Sequence, residues 1–135
     1  MTNPDVPLRE LSRDFIARLD GHDWESIDRR VAAGCTAHVG AQTLDRAAWM
    51  HFGKAFYGAF PDGAHRVVRQ VVEGDTVVTV AEWSGTHRGD FMGIPATGRR
   101  VSFPLIVVDR FADGLIVEHW GQFDSAAMMR QLGVG

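Results

Sequence analysis

Arg100-Val101-Ser102-Phe103-Pro104-Leu105-Ile106-Val107-Val108-Asp109-Arg110 and Leu115-Ile116-Val117-Glu118-His119-Trp120-Gly121-Gln122-Phe123, separated by Ala112-Asp113-Gly114, decide the fold. Both runs are rich in the β-branched and aromatic side chains that suit a pleated, half-buried surface. Asp-Gly between them is a hairpin signal, because a tight turn needs a positive φ that glycine adopts without steric cost. Two earlier runs share this composition, Arg66 to Val72 and Thr76 to Trp83, divided by Glu73-Gly74-Asp75. A longer glycine-containing loop, Phe91-Met92-Gly93-Ile94-Pro95-Ala96-Thr97-Gly98-Arg99-Arg100, leads from the first pair into the second. Four consecutive strands in antiparallel hairpins are expected.

Upstream of these strands the hydrophobic period changes. After Pro4, residues Leu8, Leu11, Phe15 and Leu19 recur at helical spacing until Gly21, which predicts an amphipathic first helix. Trp24, Ile27 and Val31 repeat the pattern up to Gly34, with Asp23 as cap. Cys35 to Leu44 is β-compatible but broken by Gly40, and reads as a short strand or hairpin. Asp45 then caps a third helix whose Trp49, Phe52, Phe56 and Phe60 share one face until Pro61 stops it. At the C-terminal end Asp124 or Ser125 caps a last helix containing Ala126, Met128, Met129 and Leu132, stopped by Gly133. Helices first and a curved antiparallel sheet afterwards predict an α+β domain, with helices over one sheet face and a pocket between.

The composition narrows the function. With 135 residues, 45% hydrophobic and 23% charged, the chain reads as one globular domain over 1–135. A formal charge of -3 and no basic run argue against nucleic acid as a partner. Met1-Thr2-Asn3-Pro4-Asp5 lacks the features of a secretion signal, and no apolar run approaches the roughly 20 residues that span a bilayer. A cytoplasmic protein without a membrane partner is expected. Cys35 is the only cysteine, which excludes an intrachain disulfide. The 6 histidines show no i, i+2 or i, i+4 pairing, so no metal and no cofactor are expected. No Gly-X-Ser-X-Gly elbow marks a nucleophile. The balance of 13 Arg to a single Lys, Lys54, points to a GC-rich bacterial genome.

Alternation nominates site residues. On the last strand Ile116, Glu118, Trp120, Gln122 and Asp124 share one face, and Leu115, Val117, His119 and Phe123 the other. A carboxylate beside the Trp120 indole, partly shielded from water, has its ionised form disfavoured and suits proton transfer near neutral pH. Capping the last helix explains Asp124 equally well. Trp83 and His87 share parity on their strand, so both point at the cavity, where His87 would be a second proton carrier. Glu118 pairs with Arg110 across the Asp113-Gly114 hairpin or else stands as a second pocket acid, the pair being favoured because an unpaired buried Glu is costly. His51 is exposed or on the flank of its helix. The aromatic stripe is mainly core, with Phe56 or Phe60 placed to touch a flat ligand near the open end. The Gly93 to Gly98 loop lacks a following helix and a lysine, so it is a hairpin connection or pocket lid rather than a phosphate cradle.

Trp83-Ser84-Gly85-Thr86-His87-Arg88-Gly89-Asp90-Phe91-Met92-Gly93-Ile94-Pro95-Ala96-Thr97-Gly98, then Asp113-Gly114-Leu115-Ile116-Val117-Glu118-His119-Trp120, Asp124 and Gln131-Leu132-Gly133, together resemble the SnoaL-like polyketide cyclase family. The resemblance is specific over roughly residues 77 to 133. It implies the cone-shaped α+β fold of nuclear transport factor 2. It also implies a cofactor-free intramolecular aldol closure in which a pocket Asp moves protons next to a carbonyl. Asp124 matches that Asp, and His38 matches a position where members often carry a polar pocket residue.

The expected protein is thus a cyclase- or isomerase-type enzyme acting on a hydrophobic carbonyl compound. Asp124 and His87 are its catalytic candidates, and His38, Trp83, Trp120, Gln122 and Phe56 its substrate contacts. A homodimer through the open sheet face, or a higher homo-oligomer, is expected as well. Two alternatives stand beside this reading. One is epoxide hydrolysis, against which counts the absence of an Arg-X-Asp spacing on the penultimate strand, where Asp109-Arg110 are adjacent and reversed. The other is a ligand-binding or dimerisation module without catalysis.

Overall fold

The computed structural model describes residues 5–134, so the reading of Met1 to Pro4 as free of a targeting signal lies outside the described residues. The chain runs α1 (Asp5–Asp20), α2 (Trp24–Asp28), β1 (Val31–Val39), β2 (Gln42–Asp45) and α3 (Arg46–Ala59). It continues through β3 (Ala64–Glu73), β4 (Thr76–Thr86), β5 (Arg100–Ala112), β6 (Leu115–Phe123) and α4 (Ser125–Gln131). The strands form one curved sheet in the order β2-β1-β6-β5-β4-β3. Its neighbours are antiparallel except β1 and β6, which run parallel. This is the α+β domain expected from the order of elements, in the cone form that the resemblance implies. No helix among the described residues is long and apolar enough to cross a membrane.

Local chemistry sets most boundaries. The Asp23 carboxylate accepts from the Ser26 N–H at 3.2 Å and that of Asp45 from Ala48 N–H at 2.8 Å. Each satisfies a donor that the first helical turn leaves free. The second helix is shorter than its periodicity predicts, ending at Asp28, and β1 begins at Val31. Val31 stands beside Ile116 in the parallel pairing with β6, and the Ile116 N–H donates to the Arg30 carbonyl at 3.0 Å. A pairing 85 residues away overrides a helical spacing at a β-branched residue that suits a strand better. β4 likewise extends beyond Trp83 to Thr86, which pairs with Arg100.

The inward sheet face and the helices enclose two apolar clusters. One gathers Tyr57, Phe60, Trp83, Val101, Phe103 and Met128; the other gathers Phe15, Ile27, Val31, Val77, Phe111 and Ile116. The Trp83 indole lies where two glycines leave room. A Cβ on Gly63 would fall 2.2 Å from its ring, and one on Gly85 2.9 Å.

An apolar stripe crosses the opposite sheet face. Val71, Val78, Val108 and Trp120 are successive neighbours across β3, β4, β5 and β6. Val71 and Ile106 there are about half exposed, at 50% and 48%.

Candidate functional site

Between α1, α3 and the inward sheet face lies a cavity of about 140 Å³, close to the ~150 Å³ at which an apolar protein cavity accepts benzene. Phe15 and Leu19 of α1, Trp49, Phe52 and Phe56 of α3, and Trp83, Phe103, Leu105 and Val107 of the sheet make its walls. Into this apolar lining project His119, His65, the Tyr57 ring and, at the rim, Gln122.

His119 is fixed by a buried carboxylate. It lies opposite Asp109 in the β5–β6 register, and its Nδ1 stands 2.6 Å from Asp109 Oδ1, with the residues 8% and 3% exposed. An ionised carboxylate only accepts, so Nδ1 carries the proton and donates it. Nε2 is left as the ring's available nitrogen, and it takes no hydrogen bond among the described residues. Trp49 stacks on the ring at 4.4 Å and 27°, holding its plane. Gly121 keeps the approach clear, since a Cβ there would sit 3.2 Å from Nε2. Buried nearby, the Cys35 thiol is pushed up to about 11, by desolvation first and by the Asp109 charge second. It is a protonated core side chain at neutral pH rather than a nucleophile.

Asp20, the last residue of α1, holds the second polar corner. Its Oδ1 accepts from the Tyr57 hydroxyl at 2.7 Å and from His65 Nδ1 at 2.8 Å, while Oδ2 accepts from the His65 backbone N–H at 2.9 Å. Burial, then the Asp20 charge, hold the Tyr57 phenol well above its ordinary range, so it stays a donor.

The predicted residues divide between the cavity and the scaffold. Trp83 and Phe56 line the cavity, and Gln122 reaches its rim while donating weakly to the Gly40 carbonyl at 3.4 Å. Asp124 is exposed and accepts from the Ala127 N–H at 2.9 Å, capping α4. His87, just past β4, is fully buried against Phe60, and its Nδ1 accepts the Thr97 N–H at 3.2 Å. That bond ties down the loop to β5; the ring does not line the cavity.

Trp120 and His38 stack on each other at 5.2 Å on the outer sheet face. There Glu118 binds His38 Nε2 at 2.8 Å and Arg110 at 3.3 Å, the second contact being the expected cross-hairpin pair. Those hydrogen bonds, His38 foremost, hold the Glu118 carboxyl below the usual carboxylate range.

From Glu118 onward the last strand alternates as expected, but its inward face is the other one, carrying His119, Gly121 and Phe123. Before that the alternation fails, because the register shifts at Val117 and Ile116 also points into the core. Aromatic residues occupy both faces, so alternation divided them without saying which set looks inward. His51 is exposed, as its helical position implies. Phe91 and Met92 of the connecting loop, with Met128 and Met129 of α4, border an outer groove of about 480 Å³. It shares Val39, Phe52, Gln122 and Phe123 with the cavity.

The sequence pattern of one family, described as SnoaL-like polyketide cyclase, matches residues 9–132. No curated protein matches the chain. Among solved structures, AclR, a candidate hydroxylase from Streptomyces galilaeus, is 28% identical with a TM-score of 0.87, over 93% of this chain and 95% of its own. IdmH, a candidate polyketide cyclase from Streptomyces antibioticus, is 30% identical with a TM-score of 0.82, over 94% of this chain and 99% of its own. A candidate SnoaL-like polyketide cyclase from Jannaschia shares the fold at a TM-score of 0.90 and 23% identity, over 100% and 98% of the two chains.

Proposed function

The chain belongs to the SnoaL-like polyketide cyclase family, and from that premise we propose a cofactor-free acid/base enzyme of the cyclase or isomerase type. Its substrate is a hydrophobic, carbonyl-containing small molecule, with residues 1–135 acting as one catalytic domain. The observation that carries this reading is the 2.6 Å pair of Asp109 and His119 at the wall of an apolar cavity. Asp109 fixes the tautomer and balances the charge that His119 gains when Nε2 removes a proton from carbon. The electrons of that C–H bond form an enolate, which attacks a second carbonyl in ring closure or is reprotonated at another carbon in isomerisation. Exclusion of water by Phe56, Phe103 and Trp83 protects the carbanionic species from premature quenching.

Trp83, Phe56 and Gln122 contact the substrate in this reading, while Asp124, His87, His38 and Trp120 hold the scaffold. The apolar outer stripe through Val71, Val78, Val108 and Trp120 supports a homodimer that covers it.

Turnover of aromatic polyketide methyl esters and ketosteroids by the parent, His119→Gln and Asp124→Asn tests the assignment. His119→Gln is expected to lose about 10²- to 10⁴-fold in rate, the usual share of a general base, and Asp124→Asn to keep the parent rate. Equal turnover by the parent and His119→Gln overturns it.

A further inference from the structure

His119 accounts for one polar group of the cavity, but the other corner is built with the same care. Asp20 receives the Tyr57 hydroxyl, the His65 backbone N–H and the His65 ring, all within 2.7–2.9 Å. The hydroxyl and the backbone N–H by themselves tie α1 to α3 and β3. The ring contact adds something a tie does not need: it fixes the rotamer and tautomer of His65. Because the carboxylate is an acceptor, the proton sits on Nδ1 and Nε2 is the ring's remaining functional atom. His65 lines the cavity, and Nε2 takes no hydrogen bond among the described residues. An apolar side chain would close that wall without exposing a polar nitrogen to an aromatic lining. Two histidines, each held through Nδ1 by a carboxylate, thus line one cavity of about 140 Å³.

We propose that His65, oriented by Asp20, is a second hydrogen-bonding and proton-carrying group of the cavity, so that the substrate carries two oxygen functions on an apolar framework, one beside the carbon whose proton His119 takes and the other facing His65. The inference rests on the acid/base reading of the cavity and deepens it. In ring closure His119 Nε2 takes the proton from carbon, and the freed electron pair forms the new C–C bond at the second carbonyl carbon. The π pair of that carbonyl moves to its oxygen, which receives a proton from Nε2 of the His65 imidazolium. The Asp20 carboxylate balances the imidazolium before transfer, and solvent afterwards removes the proton from His119 and restores the one on His65. Asp20 is a positioning residue, because its lone pairs are directed at protein donors.

Binding to the full chain tests this without turnover. Phenol, resorcinol, hydroquinone and 2,6-dihydroxynaphthalene, with 2-naphthol as the second one-oxygen reference, are titrated against the parent and His65→Gln by calorimetry or NMR. At least one diol is expected to bind the parent about fivefold more tightly than its one-oxygen reference, the worth of one added net hydrogen bond. His65→Gln is expected to lose that gain while keeping its affinity for the one-oxygen compound. In the parent itself, ¹⁵N spectra of the histidine rings should show Nε2 of both His65 and His119 shifting at diol saturation, a readout that needs no variant. The proposal is overturned by absent diol preference, by a preference that survives in His65→Gln, or by a His65 Nε2 resonance that stays still. Failure of the general-base reading is separate, seen as His119→Gln turning over like the parent.

Discussion

Asp109 faces His119 because β6 carries one more residue than β5 at that point. Arg110 pairs with Glu118 but Phe111 with Ile116, so Val117 is a bulge. A regular hairpin counted from Ala112 and Leu115 would set Asp109 against Glu118, two like charges face to face. The bulge instead delivers Arg110 to Glu118 on the outside and His119 to Asp109 on the inside.

Replacement of that carboxylate is the first prediction. Asp109→Asn keeps the shape of the side chain but no longer dictates which ring nitrogen carries the proton. Turnover is expected to fall about 10²- to 10⁴-fold, as when the orienting carboxylate of a His-based catalytic unit is lost. The ¹⁵N ring spectrum of His119 should report the changed tautomer directly; an unchanged rate and spectrum would refute the role.

Access to His119 is the second. Gly121→Val places its Cβ near 3.2 Å from Nε2, and its methyl groups cover the nitrogen. We expect turnover to drop about 100-fold, the scale of a misplaced reacting group, with the circular dichroism spectrum retained.

Asp124 supplies the third. Asp124→Ala removes the acceptor of the Ala127 N–H, and should cost about 1 kcal/mol as a lost N-cap. Denaturant titration reads this loss, and the catalytic rate should stay at the parent value.

Acid stability supplies the fourth. The Glu118 carboxyl is held below its ordinary range, first by its hydrogen bond with His38 and then by Arg110. A group whose folded-state pKa is depressed stabilises the fold above its unfolded pKa, and that contribution disappears as pH falls through the folded value. Glu118→Gln should therefore lower Tm at neutral pH and converge with the parent at a pH below the usual carboxylate range, where Glu118 is protonated in the folded state as well. A constant gap down to that pH would contradict the linkage.

Assembly supplies the last. Val71→Glu combined with Ile106→Glu places charge in the apolar outer stripe, and sedimentation should change from twice the chain mass to the chain mass. A parent that sediments as a monomer would refute the homodimer.

Much of the fold was legible because its signals are local. Asp23, Asp45 and Asp124 cap the helices that follow them, and the Asp113-Gly114 turn marks its hairpin. The end of α2 was not, because Val31 answers to Ile116 rather than to its helical neighbours. The site was legible only in part for the same reason. Trp83 and Phe56 follow from parity and helical spacing, whereas Asp109 and His119 meet through a bulge that no spacing rule contains. Asp20 and His65 lie 45 residues apart and meet only when α1 crosses the sheet. The one available clue was charge: a regular β5–β6 register would have opposed Asp109 and Glu118, which already argued for a slip.

The lone parallel pairing among the described strands has a consequence for the order of events in a growing chain. β1 is made early and β6 late, yet they are neighbours in the middle of the sheet. Until residues 115–123 leave the ribosome, β1 and β2 have no larger sheet to join, and α1 and α3 have only part of the surface they cover. Partial chains therefore expose the Phe15 and Trp49 side chains that later wall the cavity. Such surface makes nascent chains clients for chaperones, and long-range closure of this kind slows folding. The cavity is complete only once the last strand takes its place between two made before it.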